Sequence, residues 1–131
     1  MDRFLAQYSE RVYAVMRIMV GLLFLCYGLQ KALGLFGGVN GAAAPIFSLY
    51  GVAGWIELIT GAMIAVGLAT AKAAFIASGH MAAAYFIAHA PNGFWPIENG
   101  GVAALLFCFI FLFMATRGSG SYSVQGRSGR V

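Results

Sequence analysis

Charge is what this chain lacks most: of 131 residues only 9% are charged, with four Asp and Glu against eight Lys and Arg. A soluble domain carries about 25% charged residues, so this composition excludes an ordinary globule solvated by water. Cysteine is scarce as well. The two present, Cys26 and Cys108, form no Cys-x-x-Cys pair, and no haem, iron–sulfur, phosphate-loop or hydrolase motif occurs. The three prolines, Pro45, Pro91 and Pro96, all fall between the long apolar runs, where they interrupt nothing. The net charge of +4 does not indicate nucleic acid, because the basic residues sit at the ends of apolar runs rather than in a stripe.

What remains is hydrocarbon: 61% of the residues are hydrophobic. A membrane span needs roughly 20 mostly apolar residues, and four such windows lie near 12–34, 50–69, 71–90 and 99–116. The expected fold is all-α, an antiparallel four-transmembrane-helix bundle forming one domain over residues 1–123, with a flexible basic tail at 124–131. Arg3, Arg11, Lys72, Arg117, Arg127 and Arg130 fall on one side of this arrangement, with Arg17 just inside the first span and Lys31 alone at the other side. The asymmetry predicts that both termini are cytoplasmic and that the 35–49 and 91–98 loops face outward. The first apolar run is too long for a cleaved signal peptide and has no small-residue cleavage site after it. Residues 1–11 suit a short interfacial helix.

In the first span Arg17, Gly21, Phe24, Gly28 and Lys31 recur at intervals of four and three, so they share one helix face. The 34–48 loop, rich in glycine and alanine, reads as a connection with little structure of its own. The third span pairs small residues four apart (Ala73/Ala77, Ser78/Ala82, Gly79/Ala83), which predicts close helix approach and a central, most buried position. After it, His89-Ala-Pro-Asn-Gly-Phe-Trp-Pro-Ile-Glu-Asn-Gly-Gly101 is the densest polar cluster in the chain. Phe94 and Trp95 suit the headgroup level, and Asn99 is placed to cap the fourth span.

Taken together, Arg17…Gly21-Leu-Leu-Phe24…Gly28-Leu-Gln-Lys31, Glu57-Leu-Ile-Thr-Gly61…Gly67-Leu-Ala-Thr70, Asn92-Gly-Phe94, Asn99-Gly-Gly101 and Gly118-Ser-Gly120…Ser123 resemble the DoxX family of small bacterial four-helix membrane proteins. The resemblance runs from about Arg17 to Ser123. It implies a bundle in the bacterial plasma (inner) membrane and a link to quinone or thiosulfate and other sulfur redox chemistry. Many relatives carry an acidic residue after the Asn-Gly-Gly turn, where this chain has Val102, and many end in Ser-Leu-Asp, where it has Ser123-Val124-Gln125.

Glu57 is the candidate centre, a carboxylate inside the apolar run Tyr50–Leu68. Such a group faces inward, toward a partner or a water-filled cavity. At about 1.5 Å of rise per residue it lies roughly 10 Å below the outer face and Lys31 about 3–5 Å below it, so Lys31 is its expected ion-pair partner. Arg17, roughly 12 Å nearer the cytoplasm, is a poorer one. His80 and His89 point to opposite faces of an unbroken helix, which predicts no shared metal. His80 reads as a buried packing or hydrogen-bonding residue, and His89 as the candidate for proton exchange or quinone hydrogen bonding. The phenylalanines at 107, 109, 111 and 113 alternate, which predicts that they wrap the fourth span and serve both core and lipid.

The expected site is therefore an outward-opening polar pocket of Arg17, Lys31, Glu57, His89, Asn92, Trp95 and Asn99, with Glu57 and His89 as the candidate catalytic groups. Three functions fit it. One is a membrane component of a redox system that binds a quinone noncovalently and works with a soluble or membrane partner protein. A second is a non-catalytic anchor or assembly subunit for a partner enzyme. The third is permeation of a small solute or protons past Glu57, for which so small a chain needs to form a homo-oligomer.

Overall fold

A computed structural model describes residues 1–127 of the chain. These residues are helical throughout, apart from turns and an isolated bridge between Val39 and Ala42. A short α1 (Asp2–Ala6) leads into α2 (Ser9–Leu33), followed by α3 (Leu49–Val66) and α4 (Thr70–Ala84). The rod of α4 continues as a π-helical turn at Tyr85–His89 and a 3-10 turn at Ala90–Asn92. Then come α5 (Pro96–Asn99), α6 (Val102–Arg117) and α7 (Val124–Arg127). Three rods, Ser9–Leu33, Leu49–Val66 and Thr70–Asn92, are long and apolar enough to cross a membrane, while the apolar α6 is shorter. Phe75, Phe86, Leu106 and Phe109 are all more than half exposed along these rods. Such a surface suits lipid and is costly in water.

The closest helix contact is glycine-made. A Cβ built at Gly21 would lie 2.5 Å from the backbone N of Ala65, and one at Gly61 would lie 2.7 Å from that of Leu25. Gly28 meets Leu58 and Gly54 in the same way, and Gly54 meets Lys31 and Ala32. Gly21 and Gly28 are seven residues apart, as are Gly54 and Gly61, which keeps each pair on one seam. Small residues are what allow backbones to touch in lipid, where packing rather than hydrophobic force joins helices. The glycines on the shared face of α2 are covered by the backbone of α3.

The second seam joins α4 to α6. Ala73, Ala74, Ala77 and Met81 share a buried core with Ala104, Phe111 and Met114, and the Ser78 hydroxyl donates to the Cys108 carbonyl at 2.8 Å. Phe24, fully buried, links the two pairs through ring contacts of 4.7 Å to Phe111 and 5.6 Å to Phe107. Phe109 and Phe113 turn outward. The third span is not the most buried, against the expectation from its small residues: 33% of its apolar window is buried, against 39% in α3. Of its small residues, Gly79 faces open space.

Two connections carry more order than their composition predicts. Across 34–48, the Ala44 amide donates to the Lys31 carbonyl at 2.8 Å, and the Ser48 hydroxyl caps α3 by accepting from Gly51 N at 3.0 Å. Beyond Ser123, where a flexible tail is expected, residues 124–127 form α7. The Gln125 amide donates to the Gly67 carbonyl at 3.2 Å, and its side-chain oxygen accepts from Ala69 N at 3.1 Å. The rest of that expected tail, 128–131, lies outside the described residues.

Candidate functional site around Glu57

Three helices bring one polar side chain each to a common point. Glu57 of α3 is 1% exposed. Its Oε1 accepts from Lys31 Nζ of α2 at 2.7 Å and sits 3.0 Å from His80 Nε2 of α4. The contact to His80 is a hydrogen bond when that ring carries its proton on Nε2. Close approach of α2 and α3 at Gly54 positions the lysine, because its Cβ lies where a Gly54 side chain would be. The ammonium also lies 5.8 Å from the Tyr27 ring centre, and Phe24 stands edge-on to the His80 ring at 6.2 Å. Pairing with Lys31 offsets the desolvation of a buried carboxylate, and the His80 bond adds to it. One atom is left over: Glu57 Oε2 is buried and has no hydrogen-bond partner.

The pairing of Lys31 with Glu57 matches the depth arithmetic, whereas the other expected members of the pocket lie elsewhere. His89 Nδ1 sits 3.2 Å from the Asn99 carbonyl, and its ring stacks on Tyr85 at 6.3 Å. It is nine residues, about 13 Å of helical rise, beyond the histidine that does reach Glu57. Asn92 donates to the Ala88 carbonyl at 3.0 Å. Trp95 is 61% exposed and packs edge-on against Phe94.

Asn99 organises the turn rather than a ligand. Its Nδ2 donates to the Tyr85 hydroxyl at 3.1 Å and the Gly93 carbonyl at 2.9 Å, while its Oδ1 accepts from Gly101 N at 2.8 Å. It therefore does not cap the last long helix, which starts at Val102 with Gly101 as its N-cap. Gly100, with φ +76°, takes the left-handed conformation that closes α5. Replacing Asn99 by Ala deletes three hydrogen bonds, two of them buried, and is expected to cost about 2–3 kcal/mol. Detergent-based unfolding measures it, and an unchanged midpoint would rule out this role.

Arg17 lies at the far end of α2 from Lys31 and serves a different purpose. It is 1% exposed, and its Nη1 donates to the carbonyls of Ile64 and Ala65, both at 2.9 Å. These belong to the last turn of α3, the negative end of a helix dipole, which is a natural seat for a cation. Its Nη2 donates to the Tyr122 carbonyl at 2.7 Å. The Gly118–Ser123 segment is thereby clamped onto the helices, helped by Tyr13 OH donating to the Gly118 carbonyl at 2.6 Å and Ser119 Oγ donating to Thr70 Oγ1 at 2.9 Å. Gly67 packs against Arg17 and Ser123 and has φ +77°, so only glycine suits it.

Sequence reading thus missed His80 as a ligand of Glu57. The signal was present in depth: ten residues from the end of its span against seven for Glu57, a difference of about 5 Å that side chains bridge. Tyr85 was missed too, and nothing local distinguishes it from the other aromatics.

The DoxX family model matches residues 12–90, the stretch that contains Arg17, Lys31, Glu57 and His80. A Haemophilus influenzae protein, named only "Uncharacterized protein", is 38% identical over 130 residues, covering 94% of this chain and 95% of its own. No solved structure matches. With a family match across α2, α3 and α4 and a relative aligned over nearly its whole length, the chain belongs to the DoxX family of multi-pass membrane proteins.

Proposed function

We propose that this protein is a quinone-binding membrane component of a redox system, linked to thiosulfate or other sulfur chemistry. In this reading the helices run antiparallel across the bacterial inner membrane with both termini in the cytoplasm, in keeping with the distribution of Arg and Lys. The observation that carries the reading is the asymmetry of Glu57. One carboxylate oxygen is held by Lys31 and His80, and the other is buried without a partner. Such an oxygen is an acceptor waiting for a donor, and the hydroxyl of a quinol headgroup supplies one in an apolar setting. Lys31 and His80 hold the carboxylate in position. The electrons belong to a redox centre on a partner protein. His89, on its separate network with Asn99, is set aside from proton transfer.

Glu57→Gln tests this sharply. Only the amide oxygen of glutamine can accept from Lys31 and His80, so its NH2 is forced into the place of Oε2 and meets the quinol as donor against donor. The variant is expected to fold yet to retain about tenfold less quinone, read by extracting quinones from protein purified in mild detergent. Equal quinone in the variant and the parent protein, or none in either, would sink the proposal.

A second reading draws on the same three-helix junction. If the chain is an anchor or assembly subunit, Lys31–Glu57–His80 acts as a pin. Glu57→Gln would then lower thermal stability and recovery of the partner protein, with no quinone signal at any stage.

A further inference from the structure

At the end of the helices away from Glu57, the Gly118–Gly126 segment roofs a polar cavity of about 690 Å³. It is lined by Glu10 of α2, Lys72 of α4, Arg117 of α6 and the segment's own Ser119, Ser121 and Gln125. Among the described residues two cations here face one carboxylate, so this lining carries a net positive charge. Arg117 is fixed in place by an ion pair from Nη2 to Glu10 Oε1 and by stacking 4.3 Å from the Tyr13 ring centre. Lys72 is exposed and makes no hydrogen bond or ion pair among the described residues. Ser121 donates to Glu10 at 3.2 Å, which keeps that carboxylate occupied on both oxygens. The surroundings are cationic as well, with Arg3 and Arg11 on the same end of the chain's helices.

We propose that this cavity binds a phosphate group, carried by the headgroup of an anionic phospholipid. A guanidinium and an exposed ammonium beside hydroxyls match the acceptor oxygens of phosphate. The cavity sits where three apolar rods end, the level at which headgroups lie and at which each Lys or Arg contributes attraction to anionic lipid. The site is separate from Glu57 and independent of any quinone.

Native mass spectrometry in mild detergent with equal phosphatidylglycerol and phosphatidylcholine tests it. The intact protein is expected to keep the anionic lipid in preference, and Lys72→Gln to reduce that adduct roughly tenfold. Arg3→Gln removes the same charge outside the cavity and is expected to change the adduct little. Adducts that persist in millimolar inorganic phosphate assign the site to a lipid headgroup, and displacement assigns it to a soluble phosphate, both being phosphate chemistry. Equal retention of the two lipids, or equal losses from Lys72→Gln and Arg3→Gln, would overturn the proposal, leaving only a diffuse basic surface.

Discussion

Gly28→Leu is expected to force α2 away from α3 and to cost about 3 kcal/mol or more of stability. A Cβ at this position would lie 2.7 Å from Leu58 Cα and 2.8 Å from the Gly54 carbonyl oxygen. Those are backbone atoms inside a helix, so no side-chain rotation relieves the clash, and the helices themselves must part. Separation acts directly on the candidate site, because Lys31 follows Gly28 by one turn and depends on the same contact to reach Glu57. Quinone retention and stability should therefore fall together in this variant, whereas Glu57→Gln lowers retention alone. Gly79→Ala supplies the matched control: its Cβ meets nothing within 4 Å, and alanine is favoured over glycine in a helix by about 1 kcal/mol. Denaturant titration followed by circular dichroism measures both. A Gly28→Leu protein as stable as the parent would mean that α2 and α3 do not meet at these glycines.

Arg17→Met carries the second large effect, an expected loss of about 3 kcal/mol or more, since a hydrogen bond from a charged donor contributes about 1.5–3 kcal/mol and three are lost. Methionine fills most of the volume but donates nothing, so the carbonyls of Ile64 and Ala65 lose their buried donor and that of Tyr122 loses its anchor. The loss should be local first. Hydrogen exchange in the 118–126 segment is expected to rise well before the helices melt, because Arg17 is the buried one of the links from α2 to that segment. Arg17→Lys should rescue only part of the loss, since one ammonium cannot span two helix-end carbonyls and the tail as a planar fork does. If exchange in the tail is unchanged in Arg17→Met, the clamp depends on Tyr13, Ser119 and Gln125 instead.

These two effects separate residues that look alike on paper. Arg17 and Lys31 share one face of α2 with the glycines between them, and sequence reading places both in one pocket with Glu57. Helical rise alone argued that Arg17 was too far, and the structure puts it on backbone carbonyls. A carbonyl is offered by every residue, so no pattern of side chains could have marked Ile64, Ala65 or Tyr122 as its partners. The same blindness hid the role of Asn99, two of whose three partners are backbone groups. His89 presents a further case, because it sits in a π-helical turn that continuous 3.6-residue periodicity does not anticipate.

Residue order alone was enough for the apolar rods, their glycine turns and the meeting of Lys31 with Glu57. These depend on hydrocarbon content, local backbone preference and depth along a helix, all of which are counted along the chain. Which helix faces which was settled in three dimensions. The choice of His80 over His89, the division into an α2–α3 seam and an α4–α6 seam, and the locking of the 118–126 segment onto Arg17 all depend on how the rods rotate about their axes and cross. That rotation is set by the sum of many small packing contacts and by hydrogen bonds to backbone groups, neither of which leaves a mark on any single stretch of sequence.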